Sequence, residues 1–149
     1  MDNSSGTYDK YWQSGSHVTR EWTNEFFNES AGVLIGKIRV LDYGCGMGYS
    51  YQRPLSQSVQ EYLAAEVSEV ALIDAESKGF ETFKIGENGT VNLPDGTCNG
   101  AICSEVLEHL WDPLATVKEL NRILSPGGVL VITIPNFGYL PWRLLAFLR

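Results

Sequence analysis

Gly44, Gly46 and Gly48 follow directly on the run Ile38-Arg39-Val40-Leu41-Asp42-Tyr43. A glycine loop between a parallel strand and a helix brings bare backbone N–H groups against a bound ligand, because no Cβ stands in the way. Taken alone, such a loop is equally a tight turn that packs helix on sheet. Glu66 shifts the balance. It closes the next apolar run, Tyr62 to Val67, close to the ~20-residue distance at which a carboxylate accepts hydrogen bonds from a ribose diol. Loop and carboxylate together favour a nucleoside-containing cofactor. The dinucleotide fingerprint GxGxxG is not met, since Tyr49 stands where its third glycine belongs, so hydride chemistry is the weaker reading.

Other residues carry chemistry less specifically. His109 falls four residues after Glu105, which puts both on one face of a helical turn, and its ordinary pKa of ~6.5 suits a general base. The competing role is a structural hydrogen bond closing a strand-to-helix turn. Cys45, between two glycines, reads as a small side chain beneath a ligand in preference to a nucleophile. Tyr8, Tyr11 and Trp12 either form a lid over the cofactor or pack on a sheet edge; Trp22 and Phe26 read as core. Neither His17 nor His109 sits at ligand spacing with a cysteine, so no metal is expected.

The elements that must position these residues alternate along the chain. Strands are expected over Ile38–Asp42, Tyr62–Val67, Phe80–Ile85, Gly100–Ser104 and Val129–Ile134. Ser68 can cap a helix that ends at Gly79, and Asp112-Pro113 opens another whose apolar stripe is Leu114, Val117, Leu120, Ile123 and Leu124. Ser125-Pro126-Gly127-Gly128 should end that helix. Helical spacing also runs over 16–30, and a helix should follow the glycine loop, with a late start or kink at Pro54. Residues 1–15 read as a frayed, flexible arm, and 139–149 as the start of a further helix. Strands alternating with helices predict an α/β fold, a doubly wound parallel sheet.

A chain of 149 residues is sized for one domain, so residues 1–149 are read as a single cofactor-binding unit. The net charge of −7 disfavours generic binding to nucleic acid or an acidic membrane surface. Three cysteines without a CxxC, and a polar start without a signal peptide's pattern, point to a reduced, cytoplasmic setting. No apolar run approaches the ~20 residues of a membrane span.

Val40-Leu41-Asp42-Tyr43-Gly44-Cys45-Gly46-Met47-Gly48 resembles the first motif of class I S-adenosylmethionine-dependent methyltransferases, in which an acid precedes GxGxG. Leu93-Pro94-Asp95-Gly96, Cys103-Ser104-Glu105-Val106-Leu107-Glu108-His109-Leu110, and Leu124-Ser125-Pro126-Gly127-Gly128 through Ile134-Pro135-Asn136 resemble its later motifs in order and distance. Within the family the likeness is to MetW-type proteins and ubiquinone-type O-methyltransferases. It implies a Rossmann-like sheet of order 3-2-1-4-5, S-adenosylmethionine as cofactor with S-adenosylhomocysteine as product, and a small-molecule methyl acceptor. By the same resemblance, Asp42 acts through water on the cofactor's ammonium, and the backbone from Tyr43 through Gly44, Cys45, Gly46 and Gly48 holds the methionine moiety. Glu66 and Val67 take the ribose side, Glu87 and Asn88 the adenine, and Ser104 and Glu105 flank the reacting methyl.

Two departures stand out. The family's Phe-Asp before strand four is Cys98-Asn99 here, which removes a usual capping interaction. The family's sheet also continues for two strands beyond the fifth, so the chain is expected to be a C-terminally truncated form. Such a form would hide a bare strand edge by self-association, as in a homodimer, or by folding its last helix back. A cofactor-binding module without turnover is the rival from another class.

Overall fold

Strands covered on both faces are buried at successive positions, as the three inner strands of the sheet are. The computed structural model describes residues 5–14, 32–34, 36–48 and 59–136 of the chain. Within them β1 (Arg39–Tyr43), β2 (Glu61–Glu66), β3 (Glu81–Lys84), β4 (Cys98–Ser104) and β5 (Leu124–Thr133) form one sheet. Its order is β3-β2-β1-β4-β5, with every neighbouring pair parallel. The expected doubly wound, Rossmann-like order is the one found.

Side chains alternate across the sheet with the two-residue period of a strand. Leu41, Tyr43, Leu63 and Ala65 turn toward Leu120 and Ile123 of α3 (Pro113–Ile123). Tyr62 and Ala64 turn to the other face, against Ala75 of α2 (Glu69–Ser77). Both helices carry the caps read from the sequence. The Ser68 hydroxyl accepts from the Ala71 N–H at 3.3 Å, the Asp112 carboxylate accepts from the Ala115 N–H at 2.9 Å, and Gly79 takes the left-handed backbone (φ 85°) that ends α2.

The structure departs from the sequence reading in four places. The arm expected to be frayed is helical over Ser5–Gln13 (α1), and α1 is tied down: the Asp9 carboxylate accepts from the Ser68 hydroxyl at 2.5 Å and the Val70 N–H at 3.4 Å. The Ser-Pro-Gly-Gly stop signal is absorbed into β5 as an irregularity, because Cys98 already pairs with Leu124 and pairing resumes at Gly100 with Val129. Leu114 is 61% exposed and stands outside the apolar stripe. Asn99 replaces the lost capping interaction, its side-chain oxygen accepting from the Ile38 and Arg39 N–H groups at 3.0 and 3.1 Å. The helical segments expected over 16–30, after the glycine loop and over 139–149 lie outside the described residues.

Asn99 thus holds the entry to the central strand through two backbone donors. Asn99→Ala should cost about 1–3 kcal/mol of unfolding free energy, the worth of donors left unmatched, as read by urea denaturation. An unchanged midpoint and slope would show that water replaces the amide fully.

Candidate functional site

The carboxyl ends of β1, β2 and β4 bring the expected residues together, where open α/β sheets bind ligands. Beyond β1 the chain turns through the glycine loop, with φ of 77° at Gly44 and 52° at Gly46, conformations that L side chains rarely adopt. The loop is held from beneath by β2: the Gly44 and Cys45 N–H groups donate to the Ala65 carbonyl at 2.8 and 3.0 Å. From the side, the Lys78 ammonium donates to the Met47 carbonyl at 2.6 Å.

Contact also demands glycine here. A Cβ on Gly44 would stand 2.4 Å from Val106, one on Gly46 2.4 Å from the Trp12 ring, and one on Gly48 2.6 Å from Phe80. Trp12 therefore lies directly on the loop, which places α1 over the site and favours the lid among the two readings of its aromatic residues. Tyr8 lies on the same helix, and burial, then the charges of Glu66 and Glu108, push its hydroxyl pKa up.

Glu66 is the hub. Its carboxylate, 6% exposed, accepts from the Gly46 N–H at 2.9 Å through one oxygen. The other oxygen accepts from the N–H groups of Val67 at 2.7 Å and Ser68 at 3.2 Å. Burial pushes its pKa up, while those three amides and Lys84 pull it down. Asp42 is 1% exposed beneath the loop and accepts from the Tyr62 hydroxyl. Burial, then Asp42 and Glu66, drive the Cys45 thiol far up, which favours a small side chain over a thiolate nucleophile.

Four expected residues sit differently from the simplest picture. Tyr43 turns its ring into the core, and its hydroxyl donates to the Gly89 carbonyl at 2.9 Å. Glu87 and Asn88 form the exposed tip of a turn beyond β3, the Asn88 side-chain oxygen accepting from the Thr90 hydroxyl at 2.7 Å. His109 does not share a helical face with Glu105. The turn is a 3-10 turn over Leu107–His109, and Glu105 precedes it in the left-handed region (φ 55°). The His109 side chain is 57% exposed, 3.7 Å from Glu108.

The sequence reading missed Thr133. Its buried hydroxyl lies 2.7 Å from that of Ser104 and donates to Glu105 at 3.3 Å, while the Glu105 N–H donates to the Thr133 carbonyl at 3.0 Å. A polar residue late in an otherwise apolar strand was the available signal. Glu108 was passed over as well, although one of its carboxylate oxygens is buried without a hydrogen-bond partner among the described residues. Burial, then Glu108, push the Glu105 carboxyl up. The floor and rim of the site are therefore lined by the carboxyl groups of Asp42, Glu66, Glu105 and Glu108.

Residues 11–146 match a family model described as a methyltransferase domain. The chain belongs to this methyltransferase family. It is similar to a probable S-adenosylmethionine-dependent methyltransferase of Mycolicibacterium smegmatis, 29% identical over 98 residues, covering 65% of this chain and 38% of that protein. It is also similar to the ubiquinone biosynthesis O-methyltransferase of Xanthomonas campestris, 33% identical over 113 residues, covering 72% of this chain and 47% of the relative. Among solved structures it resembles a SAM-dependent methyltransferase from Aquifex aeolicus, with a TM-score of 0.61 and 28% identity over 73% of this chain and 62% of that one. The chain spans less than half the length of these two curated relatives.

S-adenosylmethionine is the cofactor this methyltransferase family implies, and the residues fit it. The Gly46 N–H is held by the buried Glu66 carboxylate at the carboxyl end of the sheet, and the carboxyl groups around the loop suit a molecule with sulfonium and ammonium charges. Because the folded-state pKa of Glu66 is raised, the stability it contributes is present below the ordinary Glu value of ~4.3 and is lost as pH rises through the folded value. The stability difference between Glu66→Gln and the parent protein should therefore move in the variant's favour as pH climbs from about 4.3. Denaturation at several pH values reads this; a pH-independent difference would contradict it.

Proposed function

We propose that this chain transfers the methyl group of S-adenosylmethionine to a small-molecule acceptor in the cytoplasm. The observation that carries the reading is the buried Glu66 carboxylate bonded to the glycine-loop amide of Gly46. It joins a carboxylate of the type that grips a ribose to a backbone cradle of the type that holds a charged tail. When bound, the cofactor supplies a methyl group already activated on a sulfonium, so the protein's part is alignment and exclusion of water.

Glu66 takes the ribose hydroxyls in this account. Three of the roughly four acceptor sites of its carboxylate are already filled, so holding both hydroxyls releases one amide bond. Asp42, buried under the loop, adds negative charge below the cofactor's cationic end and reaches its ammonium through water. The sheet order supports the rest of this reading: β2 lies between β1 and β3, which suits a methionine end toward the loop after β1 and an adenine toward Glu87 and Asn88 after β3. Ser104 and Glu105, fixed by Thr133, border the methyl-transfer position, and Trp12 with Tyr8 closes the top. His109 takes up a proton where the acceptor is an oxygen or nitrogen that must lose one. The unpaired side of β5 among the described residues, with Ile132 and Ile134 exposed, supports self-association along that edge.

Calorimetric titration with S-adenosylhomocysteine should show saturable micromolar binding that Gly46→Val abolishes, because the branched side chain collides with Trp12 and cannot adopt the left-handed backbone of the loop without strain. Transfer of a radiolabelled methyl group to a panel of small-molecule acceptors then separates an enzyme from a binding module. No binding by the parent protein would end the cofactor reading, and binding with no transfer to any acceptor would leave a module.

A further inference from the structure

Thr116, Glu119 and Arg122 recur every third residue along α3, so they share one side of the helix, and that side faces the segment after β3. This segment first folds back on itself: Ile85 bridges Val91, and the Gly86 N–H donates to the Thr90 carbonyl at 2.9 Å. Glu87 and Asn88 are the exposed tip of that turn. The chain then runs out along α3, and its alternate residues are gripped in order.

At the first rung the Gly89 carbonyl accepts from the Tyr43 hydroxyl at 2.9 Å, and that hydroxyl is in turn hydrogen-bonded to the Thr116 side chain, so Thr116 acts on the segment through Tyr43. At the second, the Val91 N–H donates to Glu119 at 2.8 Å and its carbonyl accepts from Arg122 at 3.2 Å. At the third, Arg122 donates to the Leu93 carbonyl and to Asp95, both at 2.7 Å. Glu119 and Arg122 are themselves joined by two bonds of 2.7 Å.

A fully satisfied polar network of this kind adds less to stability than apolar packing would, and its distinctive effect is to fix geometry. What it fixes is the height of the 86–89 turn over the sheet, next to Glu66, whose carbonyl accepts from the Ile85 N–H at 2.9 Å. We propose that Thr116, Glu119 and Arg122 are positioning residues that hold this turn where it reads the purine edge of the cofactor, so that selectivity for adenine over a 6-oxo purine depends on α3. The proposal rests on the cofactor reading above.

The test compares equilibrium binding of S-adenosylhomocysteine and S-inosylhomocysteine, which share every group except the 6-amino of the purine. The parent chain should prefer the adenosyl ligand by about tenfold or more, since a site shaped to hydrogen-bond one group leaves polar groups unpaired with its replacement. Arg122→Met should reduce that preference to within about threefold, chiefly by weakening the adenosyl ligand, and Arg122→Lys should restore part of it. Circular dichroism confirms that each variant is folded. Should Arg122→Met not fold, Thr116→Val removes only a hydroxyl and is read in the same way. A preserved ratio in a folded variant, equal loss of both ligands, or a parent chain that does not distinguish them overturns the proposal. A parent chain that binds neither ligand overturns the underlying cofactor reading as well, which keeps the two failures apart.

Discussion

A carboxylate buried at the end of β2 holds the rest of the site in register. Glu66 pulls the Gly46 N–H down onto the sheet and ties its own strand end to the start of α2 through the Val67 and Ser68 amides. Taking a carboxylate out of water is costly unless its lone pairs are met, and here three backbone donors meet them. The loop cannot lift without stripping that charge of a partner, and α2 cannot slide without disturbing its own first turn. The glycine loop and the start of α2 are therefore both referenced to one side chain.

The glycine loop shows how tightly its surroundings are built around that reference. Val106 from beyond β4, Trp12 from α1 and Phe80 from before β3 each occupy the space a Cβ would need. Three parts of the chain distant in sequence thus converge on one turn. The α1 helix reaches it because Asp9 adds its carboxylate to the N-terminus of α2, where unpaired N–H groups and the helix dipole favour negative charge. Roof, loop and floor form a single arrangement with the carboxyl groups of Asp42 and Glu66 beneath it.

Much of this was legible in the residues because the signals are local. The strand-loop pattern from Val40 to Gly48, the Ser68 and Asp112 caps and the glycine at 79 each act through neighbours in sequence, and each forms as read. The spacing to Glu66 was legible because the crossover between parallel strands has a characteristic length. Other features depend on contacts between distant segments, which periodicity does not report. Trp12 on Gly46, Asp9 on Ser68, Asn99 under Ile38 and Thr133 beside Glu105 all join residues far apart in the chain. The α3 ladder was hidden for a different reason: Thr116, Glu119 and Arg122 look like the solvent side of an amphipathic helix until the loop that covers them is in place. Glu105 escaped the helical reading because a positive φ at a non-glycine residue has no marker in composition.

The central claim, that the carboxyl ends of β1 and β2 with Glu66 between them receive the adenosyl cofactor, is tested most directly by mapping amide shifts. A 15N-labelled sample titrated with S-adenosylhomocysteine should show its largest amide perturbations at Gly46, Val67 and Ser68, whose donors Glu66 now holds, with smaller changes at Asn88 and Glu105. The amino ends of the same strands, at Glu61 and Glu81, should stay still. Perturbations confined to those ends, or a titration that moves no amide around Glu66, would contradict the account.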